Sequence, residues 1–145
     1  MYIGFKNLHS FAADITLLFL LISILYAFYS LSKKALFTKK SKTIILLGLL
    51  ASHLQFVLGL ILYFLSPLGA SNVSGEMMKN SVSRLYGLEH PLVMIIAIVL
   101  ITIGYSKSKR ATGDTAKFKK IAIFYSIGFL LILSRIPWKA WLANF

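Results

Sequence analysis

The sequence lacks cysteine altogether and has few acidic residues. The absence of Cys from all 145 residues excludes internal thiol–disulfide exchange, covalent c-type haem attachment and thiolate metal sites. Asp and Glu together number four, against sixteen Lys and Arg. The sequence also shows no nucleophile–base arrangement and no phosphate-binding glycine loop. Any catalysis is therefore expected to be redox chemistry by a cofactor or by a larger assembly.

Hydrophobic residues dominate the composition. They make up 58% of the chain, and the mean hydropathy is +0.80, which favours one membrane domain over residues 1–145 in contact with a lipid bilayer. The net charge of +12 is not spread evenly, because eleven of the sixteen cations lie in the stretches 33–42 and 107–120. This is the pattern of positively charged cytoplasmic loops, so we expect no nucleic-acid partner.

Four apolar segments predict an all-α fold, a transmembrane four-helix bundle with up-down-up-down topology. The predicted helices cover about residues 8–31, 42–66, 84–105 and 118–138. A secretory signal peptide is the competing interpretation of the first segment, but its apolar run is too long and lacks a cleavage site. The basic loops place both termini on the outer (periplasmic) side of a bacterial inner membrane, which the chain crosses several times.

The connections carry further signals. Pro67 ends the second helix, and Met77-Met78 in the long loop 68–83 predict a short amphipathic piece at the interface. Residues 29–35 resemble residues 105–111. Either the two halves arose by duplication, or two cytoplasmic loops obey the same charge rule.

Each predicted helix has a stripe of small and polar residues, which membrane helices use for close packing. The stripes comprise His9, Ala13, Thr16, Ser23, Ala27 and Ser30; Gly48, Ser52, Gln55 and Gly59; His90, Met94, Ala97, Ile101 and Gly104; and Tyr125, Gly128, Ile132 and Arg135. His53 lies about 130° from its stripe at ~100° per residue. Its helix therefore buries two faces, or the assigned stripe is wrong.

Polar groups on different helices can meet only if they lie at similar depths in the membrane. Counted from the cytoplasmic ends at ~1.5 Å per residue, His53 lies at ~16 Å, His90 and Arg135 at ~24 Å, and His9 at ~35 Å. His53 with His90 is the best-matched pair, and His9 with His90 is the runner-up. Asp14, at ~27 Å, is expected to form an ion pair with Arg135, which lowers the cost of both charges.

Two neutral histidines facing each other across a helical bundle are typical axial ligands of b-type haem. Arg135, Arg84 and Lys139 are then candidates to meet the haem propionates. Each residue also has a structural interpretation. His9 can be an interfacial residue, His53 can bond to another helix, and Arg135 can extend outward to the interface. For Glu89-His90-Pro91 the alternative is helix-start chemistry.

Several of these segments together resemble a family of short bacterial four-helix membrane proteins labelled cytochrome b-like. They are Leu8-His9-Ser10, Ser52-His53-Leu54-Gln55 with Gly59 and Ser66-Pro67, Arg84-x-Tyr86-x-x-Glu89-His90-Pro91, and Arg135-Ile136-Pro137-Trp138. The resemblance spans nearly the whole chain. It implies haem ligation by His53 and His90, with His9 as a third candidate. The family pattern has an arginine after the first His-Ser, where this chain has Phe11-Ala12-Ala13-Asp14.

Three hypotheses follow. The leading one is a membrane b-type haem protein for electron transfer, in a quinol-linked respiratory complex and with quinone as a second cofactor. The second is a cofactor-free accessory or assembly subunit of a larger membrane complex or homo-oligomer. The third is a metal or proton site built from Glu89, His90 and Asp14. Enzyme activity is left open, and an electron-transfer protein or subunit is favoured over a stand-alone enzyme.

Overall fold

The computed structural model of the chain describes residues 1–143, which are helical almost throughout. The helices are α1 (Tyr2–Ser32), α2 (Lys39–Leu65), α3 (Gly75–Lys79), α4 (Ser81–Arg110), α5 (Asp114–Ser134) and α6 (Trp138–Leu142). A short 3₁₀ turn covers Ala70–Asn72. Residues 1–143 contain no β-strand, which confirms the prediction of an all-α fold. Residues 1–143 form six helices where four were predicted for the chain, and four of the six are long.

Local chemistry sets the helix ends. Thr38 caps α2, since its side chain accepts a hydrogen bond from the Ser41 N–H while the Ser41 hydroxyl accepts one from the Thr38 N–H. This reciprocal cap starts α2 at Lys39, three residues before the predicted start. Ser66 is extended because it precedes Pro67. At the other end of the chain, α5 stops at Ser134, before the predicted end at 138, and Pro137 precedes the short α6.

The four long helices pack side by side in a ring. Helix α1 contacts α2 and α5, and α4 contacts the same two neighbours. Helices α1 and α4 therefore face each other diagonally. Ring neighbours that follow each other in the chain run antiparallel: Thr16 bonds to the Ala51 carbonyl, whereas Ser23, further along α1, reaches Ile44, earlier in α2. The loops 33–38 and 111–113 thus lie at one end of the ring, and His9, Gln55 and His90 lie towards the other.

Small residues line the inside of the ring and let the helices approach closely. A Cβ atom added to Gly48 would lie 2.7 Å from Ser23 Oγ, and one added to Gly128 would lie 2.6 Å from Ile101 Cγ1. The predicted stripes are buried for most of their length, in the positions Thr16, Ser23, Ala27, Ser30, Gly48, Ser52, Ala97, Ile101, Gly104, Tyr125, Gly128 and Ile132. Arg135, at the end of the fourth stripe, is exposed instead.

Hydrogen bonds between helices satisfy the buried polar groups. The Thr16 hydroxyl donates to the Ala51 carbonyl at 3.1 Å, and the Ser23 hydroxyl lies 3.0 Å from the Ile44 carbonyl. The fully buried Tyr125 donates its hydroxyl to the Ile45 carbonyl at 3.1 Å, which joins the diagonal pair α5 and α2. These three buried hydroxyls are thus paired with carbonyls of neighbouring helices, as an apolar environment requires.

The outside of the ring is apolar. Large side chains such as Leu25, Leu54 and Leu130 are more than half exposed, which is the reverse of a water-soluble bundle. Three helices, α1, α2 and α4, are long and apolar enough to cross a membrane. Helix α5 carries Lys117, Lys119 and Lys120 in its first two turns, so it does not match them in composition. These features are those of a multi-pass membrane protein.

The predicted amphipathic piece around Met77 is helix α3. Met77 is buried, and its Sδ atom occupies the space into which a side chain at Gly87 would project. Met78 is exposed on the other side. The connection between α2 and α4 is therefore packed onto the bundle rather than extended away from it.

We expect Gly128→Ala to destabilise the protein and Gly4→Ala to leave it unchanged. The new methyl group at 128 would meet Ile101 at 2.6 Å and the Ala97 carbonyl at 3.1 Å, whereas nothing lies within 4 Å at Gly4. Overpacking of this kind costs about 1–3 kcal/mol. The measurement is the thermal unfolding midpoint of detergent-purified protein followed by circular dichroism. Equal midpoints for the two variants would show that α4 and α5 do not depend on this close approach.

Candidate functional site

His9 and His90 meet across the bundle. The centroids of their rings lie 6.4 Å apart, and the ring planes are nearly perpendicular, at 86°. His9 belongs to α1 and His90 to α4, the two long helices that face each other diagonally. Both side chains are partly buried. The structure therefore brings together the histidine pair that the sequence ranked second.

The ring of His90 is held in one orientation by the backbone of α5. Its Nδ1 atom lies 2.8 Å from the carbonyl oxygen of Arg135. A carbonyl only accepts hydrogen bonds, so Nδ1 carries the hydrogen, and in the neutral ring Nε2 is left as an acceptor. Histidines that bind metals characteristically donate their other ring N–H to such a carbonyl, which fixes the tautomer.

His90 follows a local widening of the helix. Residues Leu85–Glu89 form a π-helical turn, and the hydroxyl of Tyr63 on α2 donates to the Gly87 carbonyl at 3.0 Å. A π turn shifts the register of the side chains that follow it and often occurs at functional sites. Here it lies directly before the residue that faces His9.

His9 is packed by two residues of α2. The Gln55 amide nitrogen donates to the His9 carbonyl at 2.9 Å and lies 3.4 Å from His9 Nε2. A side chain at Gly59 would come within 2.9 Å of His9 Cε1, so only glycine leaves this ring its place. His9 Nδ1 and Gln55 Oε1 are both buried without a hydrogen-bond partner in residues 1–143. Asn72 Nδ2 and Ser126 Oγ share this property elsewhere, so the two atoms beside the histidine pair can bond to a polar group but are not distinctive of this site.

Glu89 lies between two arginines. Its carboxylate accepts from Arg84 Nε at 2.7 Å and lies 3.4 Å from Arg135 Nε. Arg84 also donates to the Met78 carbonyl at 2.9 Å. The cluster carries one net positive charge next to His90. The arginines expected to meet propionates are both present at this end of the bundle, and both contact Glu89.

The predicted ion pair between Asp14 and Arg135 is wrong. Asp14 accepts a hydrogen bond from the indole N–H of Trp141 at 3.0 Å, because α6 folds back over α1. Arg135 lies just beyond the end of α5, where its half-exposed side chain turns to Glu89 on the neighbouring α4. The chain reverses direction after Pro137, which brings Trp141 to Asp14. The periodicity of apolar residues did not predict this reversal.

His53 does not approach His90. Its Nδ1 donates to the Leu49 carbonyl at 2.8 Å, and its Nε2 lies 3.3 Å from the hydroxyl of the exposed Thr102. Thr102 lies twelve residues after His90 on the same helix, about 18 Å along the axis. The predicted match in depth between His53 and His90 is therefore wrong, and the bonds of His53 are those of the structural interpretation, a histidine linked to another helix.

The helix ends explain the error in depth. Helix α4 continues to Arg110, five residues beyond its predicted end, so His90 lies further from the basic end than expected. Counted from the observed ends, His9 lies at ~34 Å, His90 at ~30 Å and His53 at ~21 Å. The small difference between His9 and His90 agrees with the contact of their rings.

The site offers two imidazole rings as nitrogen donors, beside the Gln55 amide and the Glu89 cluster. Two imidazole rings from facing helices, one with a fixed tautomer, are the residues that would hold a haem iron. Within residues 1–143, no group of three or more His, Asp or Glu side chains is placed to hold a metal ion. The third hypothesis, in its form of Glu89, His90 and Asp14 as joint metal ligands, therefore has no geometric support, since Asp14 is directed to Trp141.

Sequence reasoning placed Gln55 and Gly59 on a buried stripe but missed their contact with His9. Their spacing of four residues could have indicated this contact, because it places the Gln55 amide and the space left by Gly59 on the same face of α2. Tyr63, one further turn along, bonds to the π turn, and Trp141 bonds to Asp14. The sequence patterns predicted neither contact.

We expect Glu89→Gln to destabilise the protein more than Glu76→Gln. The substitution at 89 removes the charge that two arginines share, while Glu76 and its partner Lys79 are 83% and 74% exposed and contribute little. The expected loss is about 1–2 kcal/mol for Glu89→Gln and close to none for the control. Urea or heat unfolding in detergent measures both. A Glu89→Gln variant as stable as the control would mean that the arginines find equivalent partners elsewhere.

The chain matches no protein family, no curated protein and no solved structure in comparisons with known proteins.

Proposed function

We propose that the chain is a bacterial inner-membrane protein whose four long helices all cross the bilayer, with both termini on the outer side. The antiparallel ring supports this topology, because the two loops richest in Lys and Arg lie at the same end. Helix α5 carries its lysines in its first two turns, at the basic end, where they reach the interface. The histidine pair is then nearer the periplasmic side.

The absence of cysteine allows a clean test of this topology. Single Ser71→Cys and Thr112→Cys variants place one thiol in an exposed loop at each end of the bundle. We expect a membrane-impermeant maleimide to label position 71 in intact spheroplasts and position 112 only after lysis. The unsubstituted chain, which has no thiol, is the control. Labelling of both positions in intact spheroplasts would contradict the four-span topology.

We further propose that this protein binds b-type haem through His9 and His90 and carries electrons in the membrane. The main observation behind this proposal is that the two rings, which come from diagonal helices, have centroids 6.4 Å apart. The hydrogen bond from His90 Nδ1 to the Arg135 carbonyl supports it, because it presents Nε2 as a lone-pair donor. When bound, the haem would supply one-electron transfer. A quinol is a suitable electron donor for such a membrane site.

The protein's own residues would have distinct roles in this site. His9 and His90 are the ligands, and the Arg135 carbonyl fixes the second ring. Gly59 leaves room for the His9 ring, since any side chain there would press on Cε1. Arg84 and Arg135 place positive charge at the outer edge of the site, where acidic propionate groups would be stabilised. His53, bonded to Leu49 and Thr102, has no part in ligation.

A specific observation favours the second candidate, a cofactor-free accessory subunit. Gln55 and Gly59 already pack His9 directly, and its backbone carbonyl accepts the Gln55 amide. In this alternative the histidine pair joins α1 to α4 and holds the bundle in shape against a larger partner. The two candidates differ in one property, the presence of a haem spectrum.

We expect protein purified in mild detergent from haem-supplemented cells to show a Soret band and sharp α and β bands after dithionite reduction. His9→Ala and His90→Ala should abolish these bands, because each removes an axial ligand. His53→Ala is the matched control and should retain them. Haem content per chain, assayed on the same samples, gives the stoichiometry.

Each of the other outcomes has a definite meaning. A featureless spectrum from the unsubstituted protein would overturn the haem proposal and favour the accessory subunit, which would then be sought with its partner by co-purification. Loss of the spectrum in His53→Ala, with retention in His9→Ala, would reassign the ligand pair. Circular dichroism of each variant separates loss of haem from loss of fold.

A further inference from the structure

A cleft at the basic end of the bundle lies far from the histidine pair. It is lined by Phe37, Thr38, Lys39, Lys42, Tyr105, Lys109 and Lys117 and has a volume of about 350 Å³. Four of the seven lining residues are lysines, which come from the starts of α2 and α5 and the end of α4. Three chain segments thus direct positive charge towards one half-open space.

The charge of the cleft is not balanced nearby. The two stretches around it, residues 33–42 and 107–120, hold eleven Lys and Arg but one acidic residue, Asp114. The Asp114 carboxylate does not line the cleft; it accepts the Phe37 backbone N–H at 2.9 Å. None of the ion pairs formed by residues 1–143 involves a lysine of the cleft. An anion entering it would therefore meet unneutralised ammonium groups.

Two of the other three lining residues are aromatic, which suits the boundary between headgroups and acyl chains. Lys117 Nζ lies 5.3 Å from the centre of the Phe37 ring, which is itself packed on the buried Phe118 with centroids 5.0 Å apart. Tyr105 adds a second ring, with a polar hydroxyl, to the lining. Lysines beside aromatic rings and next to an apolar surface form an amphipathic site, which suits a ligand with one charged end and one apolar end.

We propose that this cleft binds the phosphate headgroup of an anionic phospholipid. Basic pockets between membrane helices on the cytoplasmic side are suited to such headgroups, since the lysines meet the phosphate while the acyl chains follow the apolar outer surface. The lysines are exposed or partly exposed, so the cleft is open to lipid. The proposal rests on the membrane assignment of the chain and is independent of haem binding.

The test compares two triple variants that remove the same charge from the same end of the protein. Lys42, Lys109 and Lys117 line the cleft, whereas Lys33, Lys40 and Lys119 lie outside it. Each set is changed to Gln in the full chain, and binding of phosphatidylglycerol is titrated in detergent by native mass spectrometry. We expect the cleft variant to bind about a hundredfold more weakly, because each lysine near an anionic surface contributes about fivefold. The outside variant should stay within about twofold of the unsubstituted protein.

Two further probes distinguish the source of the phosphate. Phosphatidylcholine, whose headgroup has no net charge, should bind much more weakly than phosphatidylglycerol. Inorganic phosphate should displace the lipid only at concentrations where salt screens all charges. Equal weakening in the two triple variants would overturn the proposal, since it would show diffuse attraction rather than a site. Tight binding of inorganic phosphate without lipid binding would also overturn it. Circular dichroism verifies that both triple variants keep the fold. The Lys117→Arg variant, which keeps the charge, serves as a further control.

Discussion

The close approach of helices at small residues is the constraint on which this structure depends. Lipid is as apolar as leucine, so burial of apolar surface does not by itself hold membrane helices together. Packing contacts and hydrogen bonds between helices must supply the association. In this chain they do so where Gly48 admits Ser23 and where Gly128 admits Ile101. At these points the hydroxyl of Ser23 also reaches a carbonyl of the neighbouring helix, so shape and hydrogen bonding act at the same place.

The same constraint produces the histidine pair. Gly59 leaves a gap on α2 that the ring of His9 fills, and Gln55, one turn earlier, holds the His9 backbone. The His9 ring is thereby turned inward towards α4. The π turn before His90 and the carbonyl of Arg135 orient the second ring to meet it. The contact between the two histidines therefore depends on three groups from other residues: a glycine, a side-chain amide and a backbone carbonyl.

The sequence predicted the helical fold, the buried stripes and the amphipathic α3, because each follows from a local period or from the rule that small residues pack. It could not predict which histidines meet. That depends on where α4 ends. The charged residues up to Arg110 form the last turn of the helix, but from the sequence they cannot be told from the start of a loop. An error of five residues there moves His90 by ~7 Å, enough to exchange His53 for His9 as its neighbour. The partner of Asp14 was missed for a similar reason, since α6 reverses direction after a proline.

The polar residues at the two ends of the bundle form different kinds of site. At the histidine end Glu89 offsets part of the charge of Arg84 and Arg135, and rings and amides are held by hydrogen bonds within the protein. At the basic end the lysines have no such partners among the described residues and line a half-open cleft. Internal pairing fixes the positions of groups, which suits a buried ligand that must be oriented. Unpaired surface charge stays hydrated and mobile, which suits a ligand that exchanges with the bilayer. In the topology proposed above, the lysines place the basic end at the cytoplasmic face, so the histidine pair lies nearer the outer side.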